Sequence, residues 1–299
     1  MANTLTGLLP IFYEALDTVA NEKVGFLTSV QQDANADQVT LGQPIRSFVT
    51  PAVTPTDIAP GVTAPNTGGQ ALTYVDLLIT KSQAVPVQWT GEEQLSVKAQ
   101  LANIFRDQVA QAFRGLRNAM EADIAAAAIA GAAATTGTAG TTPFGVAGDL
   151  SDGAALQKLL DDAGAPDTDR HLVVNSATMK NFRGKQSVLF KVNESGTADL
   201  LRKGIIGELQ GMNIHTSSAL NTSADNILFH KNAIVLATRV PAMPAGGDAA
   251  TDVTEILDPV SGITYQIAMY KMYRQIHIEI GAAWGVKVIK SAFVANLLG

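Results

Sequence analysis

Histidine is the side chain most easily turned to proton transfer or metal binding near neutral pH, and the sequence holds four: His171, His215, His230 and His277. None is spaced i,i+4 from another, and no H-E-x-x-H occurs to set two imidazoles on one helix face toward a metal. They read as ordinary surface or satisfied histidines. Asp161, Asp162, Asp167 and Asp169 are the densest group of carboxylates. Gly164 and Pro166 fall among them, which marks a solvated helix end and turn rather than an acid–base pair.

Gly184-Lys185-Gln186-Ser187 lacks the upstream glycine and the adjacent hydroxyl of a phosphate-binding loop. Gly204, Gly207 and Gly211 miss the dinucleotide fingerprint and follow no suitable strand. No G-x-S-x-G elbow occurs. The absence of cysteine removes disulfides, thiolate nucleophiles and Cys-ligated metal centres. Side-chain chemistry therefore predicts no catalytic set, no cofactor and no metal, and the chain reads as a non-enzyme.

What it does predict is association. Hydrophobic residues make up 46% of the 299, while Asp, Glu, Lys and Arg make up 16%, well below the roughly 25% of an average soluble protein. Such a deficit points to a membrane or to burial against other subunits. The longest nearly uniform apolar run, Ile124 to Ala134, is about half of the roughly 20 residues a spanning helix needs. Glu14 and Asp17 interrupt the apolar start, and no basic segment precedes it, so a signal peptide is not expected. A net charge of -6 and a pI near 5.2 argue against a dedicated nucleic-acid binder.

The elements that would carry association are unusual. Residues 1–37 offer one amphipathic helix from Pro10, with Phe12, Ala15, Leu16 and Val19 at helical spacing, and then turn polar through Gln31, Asp33 and Asp37. They read as an arm. Residues 38–90 hold half of the twelve prolines, and their only charges are Arg46, Asp57, Asp76 and Lys81. Strand-like arms, Val39 to Val49 and Ala71 to Trp89, flank an irregular tip, which predicts a long two-stranded hairpin that must lie on another protein surface.

Thr90-Gly91-Glu92-Glu93 has capping-box form. From there Leu101, Ile104, Phe105, Val109, Phe113, Leu116, Met120 and Ile124 recur at three and four residues. The pattern predicts a helix of about 40 residues and about 60 Å, ended near Gly131. Short helices at Ser151 and Ala177 and a buried strand at His171 follow, and Ile227 to Thr238 reads as a strand pair or one bent strand. Ile263 to Leu298 is the most strand-rich stretch.

Several segments resemble the coat proteins of tailed phages. They are Ala2-Asn3-Thr4-Leu5-Thr6, Ile45-Arg46-Ser47-Phe48-Val49, Ile79-Thr80-Lys81 with Val85-Pro86-Val87, and Trp89-Thr90-Gly91-Glu92-Glu93. Arg170 to Asn175, Gly204 to Gly211, Phe229 to Ile234 and Trp284-Gly285-Val286-Lys287 complete the set. In order and content they resemble the branch typified by the short-tailed phage P-twenty-two, within the Hong Kong 97 fold. The resemblance implies an α+β chain with an N-terminal arm (1–37), an extended loop (38–90) and a peripheral domain with a spine helix and linker (91–141). It also implies a mainly axial region (142–262) and C-terminal strands shared between domains (263–299). Ser218 to Arg239 leaves no room for the branch's inserted domain.

The same resemblance implies a major capsid protein that assembles with itself as pentamers and hexamers into an icosahedral head. Its expected partners are a scaffolding protein, a portal at one vertex and packaged double-stranded DNA held by proximity. No membrane is expected, and assembly would take place in the host cytoplasm. Arg46, Asp57, Asp76 and Lys81 are the expected intersubunit charges, since they are isolated on an uncharged hairpin. Glu92, Glu93, Arg106, Arg114 and Arg117 join them on the helix. Two alternatives stand beside this reading: a cellular shell of the same fold holding an enzyme cargo, and a soluble α/β enzyme with an unrecognised site.

Overall fold

A computed structural model gives the structure for residues 9–18, 24–49, 73–97, 101–186, 207–222, 224–243, 250–258 and 261–299. In chain order the elements are α1 (Leu9–Thr18), β1 (Gln31–Val39), β2 (Pro44–Val49), β3 (Thr73–Leu78), β4 (Lys81–Thr90), α2 (Gly91–Val97) and α3 (Leu101–Gly131). Then come β5 (Ala134–Gly137), α4 (Ser151–Asp162), β6 (Arg170–Val174), α5 (Ser176–Gly184), β7 (Glu208–Leu209), β8 (Met212–Thr216) and β9 (Asp225–His230). The last are β10 (Ile234–Pro241), β11 (Asp252–Leu257), β12 (Thr264–Met272), β13 (Gln275–Val288) and β14 (Val294–Leu298). Among the described residues no helix is long and apolar enough to cross a membrane.

Helix α3 forms where the apolar period predicted it. Phe105, Val109, Ala112, Phe113, Leu116, Met120, Ile124 and Ala128 are buried along one stripe, as a helix packed on a sheet requires. Its 31 residues give a rod of about 46 Å. The capping box forms at α2, with Thr90 N–H donating to Glu93 (2.8 Å) and Glu93 N–H donating to Thr90 Oγ1 (3.2 Å). The expected 40-residue helix is thus described as α2 and α3, and residues 98–100 between them lie outside the described residues.

The stripe of α3 meets a sheet ordered β1-β10-β13-β12-β11, with β4 on the free side of β13. Alternate residues of paired strands, Val87 and Trp89, Ile278, Ile280 and Trp284, and Tyr265, Ile267 and Met269, turn toward it and share its core. Pro86 is tolerated because, among the described residues, β4 pairs with β13 alone, leaving its missing N–H on a sheet edge. A second sheet, β5-β14-β9-β6-β8-β7, carries α4 and α5 over a core of Leu156, Leu160, Leu172, Met179, Phe182 and Leu228. Val173, Ile227, Phe229 and Val294 turn its other face into the core of α3.

Three crossings between the sheets meet at one waist. Ile289 N–H donates to Ala233 O at 2.8 Å, and Ala133 N–H donates to Val294 O at 3.2 Å. A Cβ on Gly131 would lie 2.6 Å from Val288 Cγ2, so the end of α3 passes only as glycine.

Two expectations change. The polar stretch beginning at Gln31 is a strand rather than part of a loose arm: β1 pairs in parallel with β10. Its polar side chains are allowed because the pairing is made by the backbone, and Arg239 fastens it by donating to Asp33 O (2.7 Å) and Asp33 Oδ2 (3.0 Å). The hairpin is also shorter than its expected arms. Among the described residues of the two arms, β2 and β3 alone pair with each other, Pro44 opposite Leu78 through Val49 opposite Thr73. Val39 is paired with β10 instead, and Lys81–Thr90 is taken by β13 in a ladder longer than that of β2 with β3; the tip, with Asp57, lies outside the described residues.

Candidate assembly interface

The β2–β3 ribbon springs from a tightly fitted root. Gly42 N–H donates to Ile79 O (2.8 Å), Ile79 N–H to Gln43 O (3.2 Å) and Thr80 N–H to Trp284 O (3.1 Å). Leu77 and Ile79 pack with Val39, Ala237 and Ala283 in a small core of their own. The backbone approaches so closely that a Cβ on Gly285 would stand 2.0 Å from Leu78 O, well inside contact distance.

On the ribbon, Arg46 lies directly opposite Asp76 and forms a two-pronged pair, Nε to Oδ1 at 2.9 Å and a second nitrogen to Oδ2 at 3.3 Å. Its guanidinium also sits 4.0 Å over the Tyr74 ring. The hydrogen bond from Arg46 holds the Asp76 carboxyl below its usual range and raises the guanidinium in turn. Both side chains keep solvent contact, at 51% and 33% exposure. Lys287 donates to Asp76 O at 2.9 Å. The ribbon is therefore neutralised within the chain and offers a nearly uncharged surface with Leu41, Tyr74 and Leu78 exposed.

The other expected contact residues divide by depth. Lys81 donates to Asp123 Oδ1 at 2.6 Å, and Trp284 Nε1 to Asp123 Oδ2 at 2.8 Å, which ties β4 and β13 to α3. Glu92 lies at the surface, 3.7 Å from Arg274 in the β12–β13 turn. Glu93 is taken up by the capping box, and the Thr90 hydrogen bonds hold its carboxyl below the usual range. Arg106 donates to Glu14 at 2.8 Å and to Asp107 at 3.3 Å, pinning α1 on α3 beside the Phe12–Phe105 ring contact. Arg114 is half-buried. Arg117 is turned inward: it pairs with Asp258, which also accepts from Ser261, and the two side chains are 11% and 1% exposed. Helix periodicity explains this, because Arg117, Glu121 and Ile124 recur on the buried side.

Several residues with structural roles were not singled out from the sequence. Glu121 is buried and accepts N–H bonds from Gly25 (2.7 Å), Phe26 (2.9 Å) and Leu27 (2.9 Å), and from Ser217 Oγ (2.6 Å). Its place four residues after Arg117 and three before Ile124 was the available clue. Arg170, buried among the aspartates read as a solvated turn, donates to Asp161 (2.6 Å), Asp167 (2.9 Å) and Pro166 O (2.8 Å). His171 and His215, 44 residues apart, lie with ring nitrogens 3.1 Å from each other.

A cleft of about 690 Å³ lies between the 137–146 loop and α5, lined by Asp149, Asp152, Lys180 and Lys185. Its carboxylates cap backbone groups, Asp152 accepting from Phe144 N–H (2.7 Å) and Asp149 from Ser151 N–H (2.9 Å). Among the described residues no three His, Cys, Asp or Glu side chains converge to hold a metal. The turn beside α2 instead presents apolar surface: Tyr273 is 90% exposed, with Leu95 and Met272 exposed as well.

No protein-family model matches the sequence, and no curated protein matches it. Solved structures do. A capsid structure of the cyanophage P-SCSP1u aligns with a TM-score of 0.63 at 13% identity, over 93% of this chain and 89% of that one. The mature capsid of bacteriophage PhiM1 aligns with a TM-score of 0.61 at 12% identity, over 93% and 87%. A virus-like particle from Pyrococcus furiosus aligns with a TM-score of 0.51 at 10% identity, over 96% of both chains. Across more than nine-tenths of its length, the chain has the fold of phage capsid proteins.

Proposed function

We propose that the chain is the major capsid protein of a tailed double-stranded DNA phage, a non-enzymatic subunit that builds an icosahedral head in the host cytoplasm. The observation that carries this reading is a fold shared with phage capsid subunits over more than nine-tenths of the chain. The low charge and the neutralised ribbon support it. In the Hong Kong 97 arrangement the ribbon is the root of the extended loop, α3 the spine of the peripheral domain, and the β5–β14 sheet with α4 and α5 the axial part.

Each subunit makes several modest interfaces, commonly about 800 Å² per partner, and multivalency turns them into a stable lattice. Of the nine charged residues singled out from sequence, Arg46, Asp76 and Glu92 are the ones proposed to meet neighbours, because they keep solvent contact. Arg117 is turned inside the subunit, and Lys81, although 42% exposed, is taken up by Asp123 of α3. A scaffolding protein, a portal and the packaged DNA complete the proposed set of partners.

Negative-stain microscopy and light scattering of the protein, expressed with and without its genomic neighbours, test the reading. Closed shells of megadalton mass are expected in at least one case; a small oligomer in both would overturn it. A second reading, a cellular shell around an enzyme cargo, is favoured by the alignment with the Pyrococcus furiosus particle. It predicts shells that copurify with an enzyme and no portal.

A further inference from the structure

Parallel strands β6 and β8 place Val173 opposite His215 and His171 opposite Asn213, so the two histidines share a face one diagonal step apart. Their rings approach with centroids 5.3 Å apart and planes inclined by 32°, and His171 Nδ1 is 3.1 Å from His215 Nε2. Phe229, paired with His171 on β9, lies beside it with centroids 6.0 Å apart. The segment before β1 packs against the base of His215: a Cβ on Gly25 would lie 3.1 Å from the Cβ of His215.

This setting disfavours imidazolium. Burial, and then the other ring, pull His171 down to about 4, and burial lowers His215. The charges acting on His171 are Asp169, which favours protonation, and Lys231 and His230, which oppose it. A neutral imidazole keeps a lone pair, which a metal ligand requires.

Two neutral rings in this position share one N–H···N bond. Once the shared proton moves to the outer nitrogen of its ring, they offer two lone pairs to one cation. With metal–nitrogen bonds of about 2.05 Å, a 3.1 Å separation subtends about 98° at the ion, between square-planar and tetrahedral geometry. We infer that His171 and His215 form a two-imidazole binding site for a borderline divalent ion of the zinc or copper class. Because no third His, Cys, Asp or Glu joins them among the described residues, water fills the remaining positions. The site is then weaker than a four-ligand structural zinc and fills at micromolar metal. It departs from the sequence reading, where 44 residues of separation hid the pair, and it stands independently of the capsid assignment.

The test is titration of the untagged full-length protein with zinc chloride at pH 7.5 by calorimetry, alongside His171→Asn and His215→Asn. One ion per chain is expected in the parent, and binding weakened at least tenfold in each variant while its thermal melt is kept. Should a variant fail to fold, electron spin-echo spectroscopy of the parent with one equivalent of copper(II) still reads the site, with two coordinated imidazoles expected. No binding at micromolar zinc, undiminished binding in folded variants, or a copper spectrum with fewer than two imidazoles overturns the inference.

Discussion

Buried charge in this protein is held by hydrogen bonds that the chain order conceals. Glu121 satisfies three backbone N–H groups of the segment that enters β1 and one serine hydroxyl. Each donor left unpaired in a core costs about 1–3 kcal/mol, so Glu121→Ala should lower stability by at least about 3 kcal/mol, read as a drop in the urea midpoint of the unassembled chain. The Arg117–Asp258 pair gives a sharper contrast. Asp258→Ala strands a buried guanidinium and should cost about 3–5 kcal/mol. Replacing both partners, Arg117→Met with Asp258→Leu, should return most of that in the same measurement.

His230 adds a pH dependence whose sign is fixed. Its Nδ1 accepts from Asn232 N–H at 3.2 Å, and burial lowers its pKa, with Arg170 and Lys290 also lowering it and Asp169 opposing them. Below its ordinary pKa of about 6.5 the unfolded chain binds the proton more readily than the folded one. Its contribution is therefore present at neutral pH and lost as pH falls through that value toward the folded pKa. His230→Asn keeps an acceptor without the titration, so its urea midpoint should fall less than the parent's between pH 7 and pH 5. An equal fall in both proteins would refute the assignment.

Elements were legible to the extent that their pattern was their own. The stripe from Phe105 to Ile124 specified α3 because one helix face must be apolar whatever it packs on. The alternation of Val85, Val87 and Trp89 specified β4 in the same way. Strand β1 was missed because nothing in Gln31 to Val39 alternates; it exists through its ladder to β10, and ladders do not show in composition. The hairpin was read too long for the same reason, since the sequence shows which stretches extend but not which partner claims them. The hairpin charges were chosen for isolation along the chain and the helix arginines as a face lying off the apolar stripe, criteria blind to Asp123 beneath Lys81 and Asp258 beneath Arg117.

The ribbon root yields a test of its own. Gly285→Ala places a methyl against Leu78 O and must push the β2–β3 ribbon off the sheet, while the core of α3 lies on the other face. Light scattering should show assembly lost, and the thermal melt of the free chain should fall far less than for Glu121→Ala. Arg46→Ala acts more mildly. An exposed ion pair contributes about 0–1 kcal/mol, so the free chain should keep its melt while the yield of shells falls; equal loss in free chain and shell would remove Arg46 from the interface.

Across the molecule, a strongly apolar composition coexists with few buried charges and several exposed apolar side chains, among them Leu41, Leu95 and Tyr273. A surface of this kind is suited to permanent neighbours. Thermal stability should therefore depend on assembly, with shells melting well above free subunits, a difference that calorimetry on separated fractions measures directly.

Strand β14 lies between β5 and β9, so the second sheet has an open slot until residues 294–298 have been translated. A nascent or truncated polypeptide stopping short of Val294 leaves both neighbours unzipped and the waist unsealed. A chain without these residues exposes the free edges of β5 and β9 and the apolar surfaces against which Val294, Ala295 and Leu297 are buried. Deleting residues 294–299 should send the product to the insoluble fraction rather than into malformed particles.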